Sequence, residues 1–151
     1  GTFKGLKDKN ISKILFIMRT LNFIFLPSNT GYRQPIHALQ LAEVVYFLMN
    51  QNLSSEVKPK ISFINIGGDE TLNFIQMLKN LQDSLKENDK AKRCMIIKIP
   101  NRLFFILISP IIIFSPKNFA ALSRICSNLS GFHKASYITK TQPKTFPFKD
   151  I

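Results

Sequence analysis

Between residues 61 and 86 the hydrophobic pattern changes period across a pair of glycines. Ile61-Ser-Phe-Ile-Asn-Ile66 alternates apolar and polar residues and stops at Gly67-Gly68, the pattern of a strand that runs into a tight turn. Asn73 and Gln76 then have the spacing of a capping box, in which each side chain satisfies a backbone donor that the first helical turn leaves unpaired. Leu72 and Met77 stand where a hydrophobic staple lies, and Ile75, Leu78, Leu81 and Leu85 carry one apolar face to about Lys86. A strand turned directly into a capped helix argues for an α/β or α+β fold rather than a bundle.

The flanking sequence continues the alternation. The spacing of Ile11, Ile14, Leu15, Met18 and Leu21 predicts a helix over 11–23, with Asn10 as its N-cap. Pro27-Ser-Asn-Thr-Gly31 is a turn cluster, and Tyr32–His37 reads as a short extended segment because Pro35 disfavours helix at Gln34. A second helix is predicted over 40–50, with Leu41, Val44, Val45 and Leu48 facing inward. Cys94–Ile99 reads as a strand ended by Pro100, Phe119–Ser127 as a short helix, and residues 139–151, with Pro143 and Pro147, as an irregular tail. The 151 residues match one domain, with a small mixed sheet and about five helices.

Leu103–Phe114 is an apolar run of twelve residues broken at Pro110 and bounded by Arg102 and Lys117. A spanning helix needs roughly 20 apolar residues, so the run predicts a buried helix or hairpin, or a surface covered by another part of a larger protein, rather than a transmembrane segment. An in-plane membrane anchor is the competing reading.

Charge is the other anomaly. The formal net charge is +12, and from Lys90 to Lys149 there are eleven Lys or Arg and no Asp or Glu. These cations are scattered rather than gathered into a basic run or a helical stripe, as in a chain of biased composition with Lys at solvated positions. They form no aromatic-and-basic stacking platform, so nucleic acid is not the expected partner. Cys94 and Cys126 sit beside apolar residues and read as buried reduced thiols of a cytoplasmic protein. With His37 and His133 they give no pair at the short spacing of a zinc site.

Three segments together resemble one family. Arg33-Gln-Pro-Ile-His-Ala-Leu-Gln-Leu-Ala42 resembles the Arg-x-x-(Val/Ile)-His stretch of the extended short-chain dehydrogenase/reductases, the family of NAD-dependent sugar-nucleotide epimerases and dehydratases. Ile64-Asn-Ile-Gly-Gly-Asp-Glu-Thr-Leu72 is similar to that family's strand, Gly turn and helix start. Asp8-Lys-Asn-Ile11 resembles the run where its substrate lid begins. The resemblance spans roughly residues 5–130.

Departures from the family pattern set what the chain can do. Leu39 stands where the family has an acidic residue that caps the helix after His37. The chain has no Gly-x-x-Gly-x-x-Gly loop for a dinucleotide phosphate and no Tyr-x-x-x-Lys pair, since Tyr137 is followed by Lys140, one residue short. The resemblance therefore implies a C-terminal, substrate-binding portion, with NAD, the catalytic base and the Rossmann core in an upstream half. No catalytic, cofactor-binding or metal-binding residue is expected within the chain.

What the resemblance assigns here is grip on a nucleoside-diphosphate sugar. Arg33 matches the family's diphosphate contact, because a guanidinium holds two phosphate oxygens at once. Asn10 matches a position near the nucleotide, His37 follows in the same motif, and Arg124 is a second candidate for phosphate. The plainer readings are a surface Arg33, a capping Asn10 and a structural, hydrogen-bonded His37. With its upstream half absent, an open sheet edge predicts self-association. The alternatives to this function are a basic nucleic-acid-binding module and a membrane-peripheral one.

Overall fold

The computed structural model describes residues 9–53 and 63–148. The chain mixes helices with short strands and divides into two compact units, Gly1–Gly31 with Asn73–Ser127, and Tyr32–Leu72 with Asn128–Ile151. They are called unit 1 and unit 2 below.

Unit 1 begins with α1 (Lys9–Thr20), which buries Leu15 and Met18 and leaves Phe16 and Ile17 exposed. Because the helix already covers Lys9, Asn10 lies within it and not at its cap, and the Asn10 side chain lies outside the described residues. The helix also ends earlier than its periodicity suggests. Phe23–Pro27 is instead a strand, β1, parallel to β5 (Met95–Ile99) with Phe23 opposite Met95 and Pro27 opposite Ile99. Ser28 N donates to Ile99 O at 2.7 Å and closes the pair. Asn101 then clasps the loop beyond β1, donating from Nδ2 to Asn29 O at 3.1 Å and accepting from Asn29 N at 3.0 Å.

The central helix of unit 1, α3 (Phe74–Ser84), starts as its sequence predicts. Asn73 accepts from Gln76 N at 2.8 Å, and Gln76 Oε1 accepts from Asn73 N at 3.0 Å. Ile75, Leu78 and Leu81 are buried, one face of a helix at i, i+3, i+6. Gln82 on its last turn donates to Ala91 O and Cys94 O at 2.9 and 2.8 Å, tying the helix to a 3-10 turn at Lys90–Arg93. Asp89 caps that turn through Ala91 N and holds Arg19 of α1 with two bonds, at 3.0 and 2.7 Å. Those bonds from Arg19 keep the Asp89 carboxyl below its ordinary value.

The apolar run becomes two helices, α4 (Asn101–Ile108) and α5 (Ile111–Phe114), broken by Pro110 as expected. They are followed by α6 (Pro116–Ser123) and a 3-10 turn at Arg124–Cys126. Phe104 and Ile108 join Ile99 in a buried cluster. The rest of the run is not buried: Leu103, Phe105, Ile106, Leu107, Ile112, Ile113 and Phe114 are all exposed. No helix among the described residues is long and apolar enough to cross a membrane.

Unit 2 holds β2 (Tyr32–Arg33), α2 (Ala38–Leu53), β3 (Ile66–Gly67), β6 (His133–Lys134) and α7 (Ala135–Thr139); β4 (Leu72–Asn73) lies where the chain passes into unit 1. The strand expected over 61–66 is a two-residue parallel pairing, Ile66 with His133 and Gly67 with Lys134. Phe63–Asn65 are outside it, and Ile61 and Ser62 lie outside the described residues. The inner face of α2 also departs from expectation. Val44 and Gln40, one turn apart, are buried, whereas Leu41 and Val45 are exposed. Beyond α7 the tail is irregular through Phe148, with Lys140 and Phe148 at positive φ.

Candidate functional site

Unit 2 brings together two of the segments that carry the family resemblance. Gly68 N donates to Gln34 O at 3.2 Å, and Gln34 Nε2 returns a bond to Gly68 O at 3.3 Å. The backbones approach so closely that a Cβ on Gly68 would stand 1.7 Å from Pro35 O, inside any tolerable contact. A Cβ on Gly67 would meet Gln34 Cβ and Phe132 Cβ at 3.0 Å. Sequence reasoning ascribed the two glycines to a sharp exit from the strand. Neither has a positive φ; Gly68 is required because a second chain segment lies where a side chain would go, and Gly67 is closely confined by two side chains.

The residues just after the glycines organise the rest of the unit. Asp69 is buried, and its carboxylate accepts three hydrogen bonds: from Ser136 N at 2.8 Å on Oδ1, and from Gln40 Nε2 at 2.6 Å and Lys144 N at 2.8 Å on Oδ2. Burial alone would raise the pKa of Asp69, but the donors from Lys144, Ser136 and Gln40 outweigh it and hold the carboxyl below its ordinary value. Glu70 accepts from Phe146 N at 3.0 Å. Lys144 in turn reaches back to α2, where its Nζ lies 2.9 and 2.8 Å from the two Glu43 oxygens. Thus helix, Gly turn and irregular tail meet at one charged residue. Gln40 Oε1 is buried without a partner among the described residues.

Sequence reasoning missed this centre. Its residues lay inside or beside the quoted motifs, at Gln40 and at the acid pair Asp69-Glu70 in a chain with nine acids. Two acids directly after Gly-Gly were the available signal; the long-range donors Ser136 and Lys144 had none.

The four candidate binding residues divide between the two units. Arg33 is half-buried on β2, its Nη1 donating to Tyr32 O at 2.9 Å, and its backbone bridges to Leu129. His37 sits at the N-terminus of α2, where its Nδ1 accepts from Leu39 N at 3.2 Å and its ring lies 5.4 Å from that of Phe148. That bond caps the first turn of the helix. Arg124 is exposed on the 3-10 turn of unit 1, and Asn10 belongs to α1 of the same unit. Arg33 and His37 share unit 2, four residues apart.

Unit 1 carries a different feature, an open apolar groove of about 780 Å³. Ile17, Leu21, Phe23, Phe25, Phe74 and Leu107 are among its walls, and none of the four candidates is. The cysteines take no part in a disulfide; Cys94 is buried, and burial pushes its thiol pKa up. Among the described residues no group of three His, Cys, Asp or Glu is placed to hold a metal ion.

No protein-family model matches the chain, and neither a characterised protein nor a solved structure does so.

Proposed function

We propose that the chain is the substrate-binding, C-terminal part of an NAD-dependent nucleoside-diphosphate-sugar epimerase or dehydratase of the cytoplasm, with hydride transfer carried out by an upstream half. The observation that carries this reading is the interlock of Arg33–Ala42 with Ile64–Leu72. Gly68, in the Gly-Gly pair on which the second segment's resemblance rests, is what lets that backbone touch the first segment at Gln34-Pro35. Such contact gives the two segments a joint physical role that a chance likeness of two separate stretches would not require.

In this reading Arg33, fixed at the edge of the interlock, grips the diphosphate, and His37 orders the helix behind it rather than acting on substrate. Binding energy from the diphosphate would position the sugar against a cofactor held elsewhere. The reading also accounts for β1 and β5. Parallel strands are ordinarily covered on both faces, yet Phe23, Phe25 and Met95 of this pair are exposed, as they would be where an upstream sheet is meant to lie.

Titration calorimetry with nucleoside-diphosphate sugars, on the chain extended by its upstream half, tests the proposal. Arg33→Ala is expected to weaken binding about thirtyfold, or about 2 kcal/mol, the worth of hydrogen bonds to a charged group. Unchanged affinity removes Arg33 from the site.

A further inference from the structure

We infer that the outer face of the α4–Pro110–α5 element docks on an anionic lipid surface, a role independent of the sugar-nucleotide reading. Six side chains carry the inference: Leu103, Phe105 and Ile106 on α4, and Ile112, Ile113 and Phe114 on α5. All are exposed, with Ile113 at 79% and Phe114 at 86%. Soluble surfaces scatter single apolar residues, but a run of this kind marks a contact with something apolar. Phe104 and Ile108, on the opposite side of α4, are fixed in the unit's own core, so the element is held with its outer side chains facing away.

The groove does not account for them. Of this element only Phe104, Leu107, Ile108 and Ile111 line it, so a segment filling the groove leaves the six outer side chains uncovered.

Charge decides what covers them. The exposed cations Arg102 and Lys117 bracket the apolar run, and among the described residues neither forms an ion pair. No acid lies between Lys90 and Lys149 to offset them. A second copy of a chain with net charge +12 would bring like charge against like charge. An anionic bilayer answers both parts: acyl chains for Ile113 and Phe114, and headgroups for the bracketing cations. The break at Pro110 and the short helices suit an element lying in the interface rather than crossing it.

Vesicle flotation tests this, with phosphatidylcholine alone and with phosphatidylserine mixed in. The chain should float with the anionic vesicles and remain below with the neutral ones. Ile113→Asp with Phe114→Asp, and separately Arg102→Glu with Lys117→Glu, should each weaken binding about tenfold or more. Circular dichroism checks that each variant is folded; the altered side chains are exposed, and a conservative pair, Ile113→Ser with Phe114→Ser, serves if the charged one is not. Failure of the wild type to float with anionic vesicles overturns the inference, as does full binding by a folded variant of either kind. Concentration-dependent self-association abolished by Ile113→Asp with Phe114→Asp, without vesicle binding, would assign the face to a protein partner instead. Because these readouts involve no sugar nucleotide, their failure leaves the role of Arg33 standing, and the converse.

Discussion

Unit 2 and unit 1 are held together by opposite means. In unit 2 a buried carboxylate collects backbone and side-chain donors from three separate stretches of chain, and Gly68 lets two backbones touch. Few large apolar residues there are fully buried; Val44 is the principal one on α2. In unit 1 the interior is apolar, built from Leu15, Met18, Leu78, Leu81 and Phe104, and so is much of the outside. A polar centre demands that each partner be present and correctly placed, because an unpaired buried group costs more than a satisfied one contributes. An apolar interior tolerates adjustment, and its surplus apolar surface is available for binding. Unit 2 should therefore be brittle to small substitutions at its junctions, and unit 1 indifferent to large ones at its surface.

The sharpest break is expected at Gly68. Gly68→Ala adds one methyl where Pro35 O already stands, and backbone must move to admit it. A loss of about 3 kcal/mol or more follows from such overpacking against a rigid neighbour. Amide hydrogen exchange is the suitable readout, since two units need not unfold in one step. Protection should fall at the unit 2 amides. Wild-type protection there would mean that the two segments are not in contact.

Asp69→Asn comes next, at about 2 kcal/mol, because one acceptor oxygen becomes a donor facing donors. The effect should depend on pH in a defined sense. The folded-state pKa of Asp69 lies below its ordinary value. Its charged form therefore contributes stability that is present above about pH 4, the unfolded value, and is lost as pH falls through the lower folded value. The gap between wild type and Asp69→Asn in urea midpoint should close over that acid range. A gap that stays constant would show that the carboxylate charge is not what the donors hold.

Asn73→Ala is a smaller perturbation, about 1 kcal/mol, from loss of the cap at α3. Asn73→Ser should recover most of it, since a hydroxyl can accept from the same backbone donor.

This cap was also the most legible part of the molecule. Asn73 and Gln76 act on backbone groups three residues away, so sequence spacing alone places the bond. Strand β5 was likewise bounded by Pro100 at its end. Strand β1 was hidden because Phe23-Ile-Phe-Leu-Pro27 is a short unbroken apolar run, and periodicity does not separate a buried strand from the end of an apolar helix. Its partner is some 70 positions away in sequence, at Met95–Ile99. The same distance concealed the Asp69 centre, whose donors Ser136 and Lys144 are 67 and 75 residues along the chain. Burial was the other property that pattern could not supply. The run at 103–114 has the composition of a core, and only two of its residues, Phe104 and Ile108, are buried. On α2 the reverse holds, where Gln40 is buried and Leu41 is not, because the Asp69 carboxylate gives the amide a partner inside.

The smallest effect tests the other half of the contrast. Phe114→Asp replaces a large aromatic by a charge, which in a core would cost several kcal/mol. Here the residue is 86% exposed and closes a four-residue helix that buries none of its own residues. The urea midpoint should move by no more than about 0.5 kcal/mol in equivalent stability, as for ordinary surface positions. The variant should also be the more soluble protein, since a charge interrupts the apolar run. A loss of about 2 kcal/mol or more would mean that Phe114 is covered in solution by its own chain or by another copy. Unit 1 would then have no surplus apolar surface to offer, and the contrast between the two units would reduce to two differently composed cores.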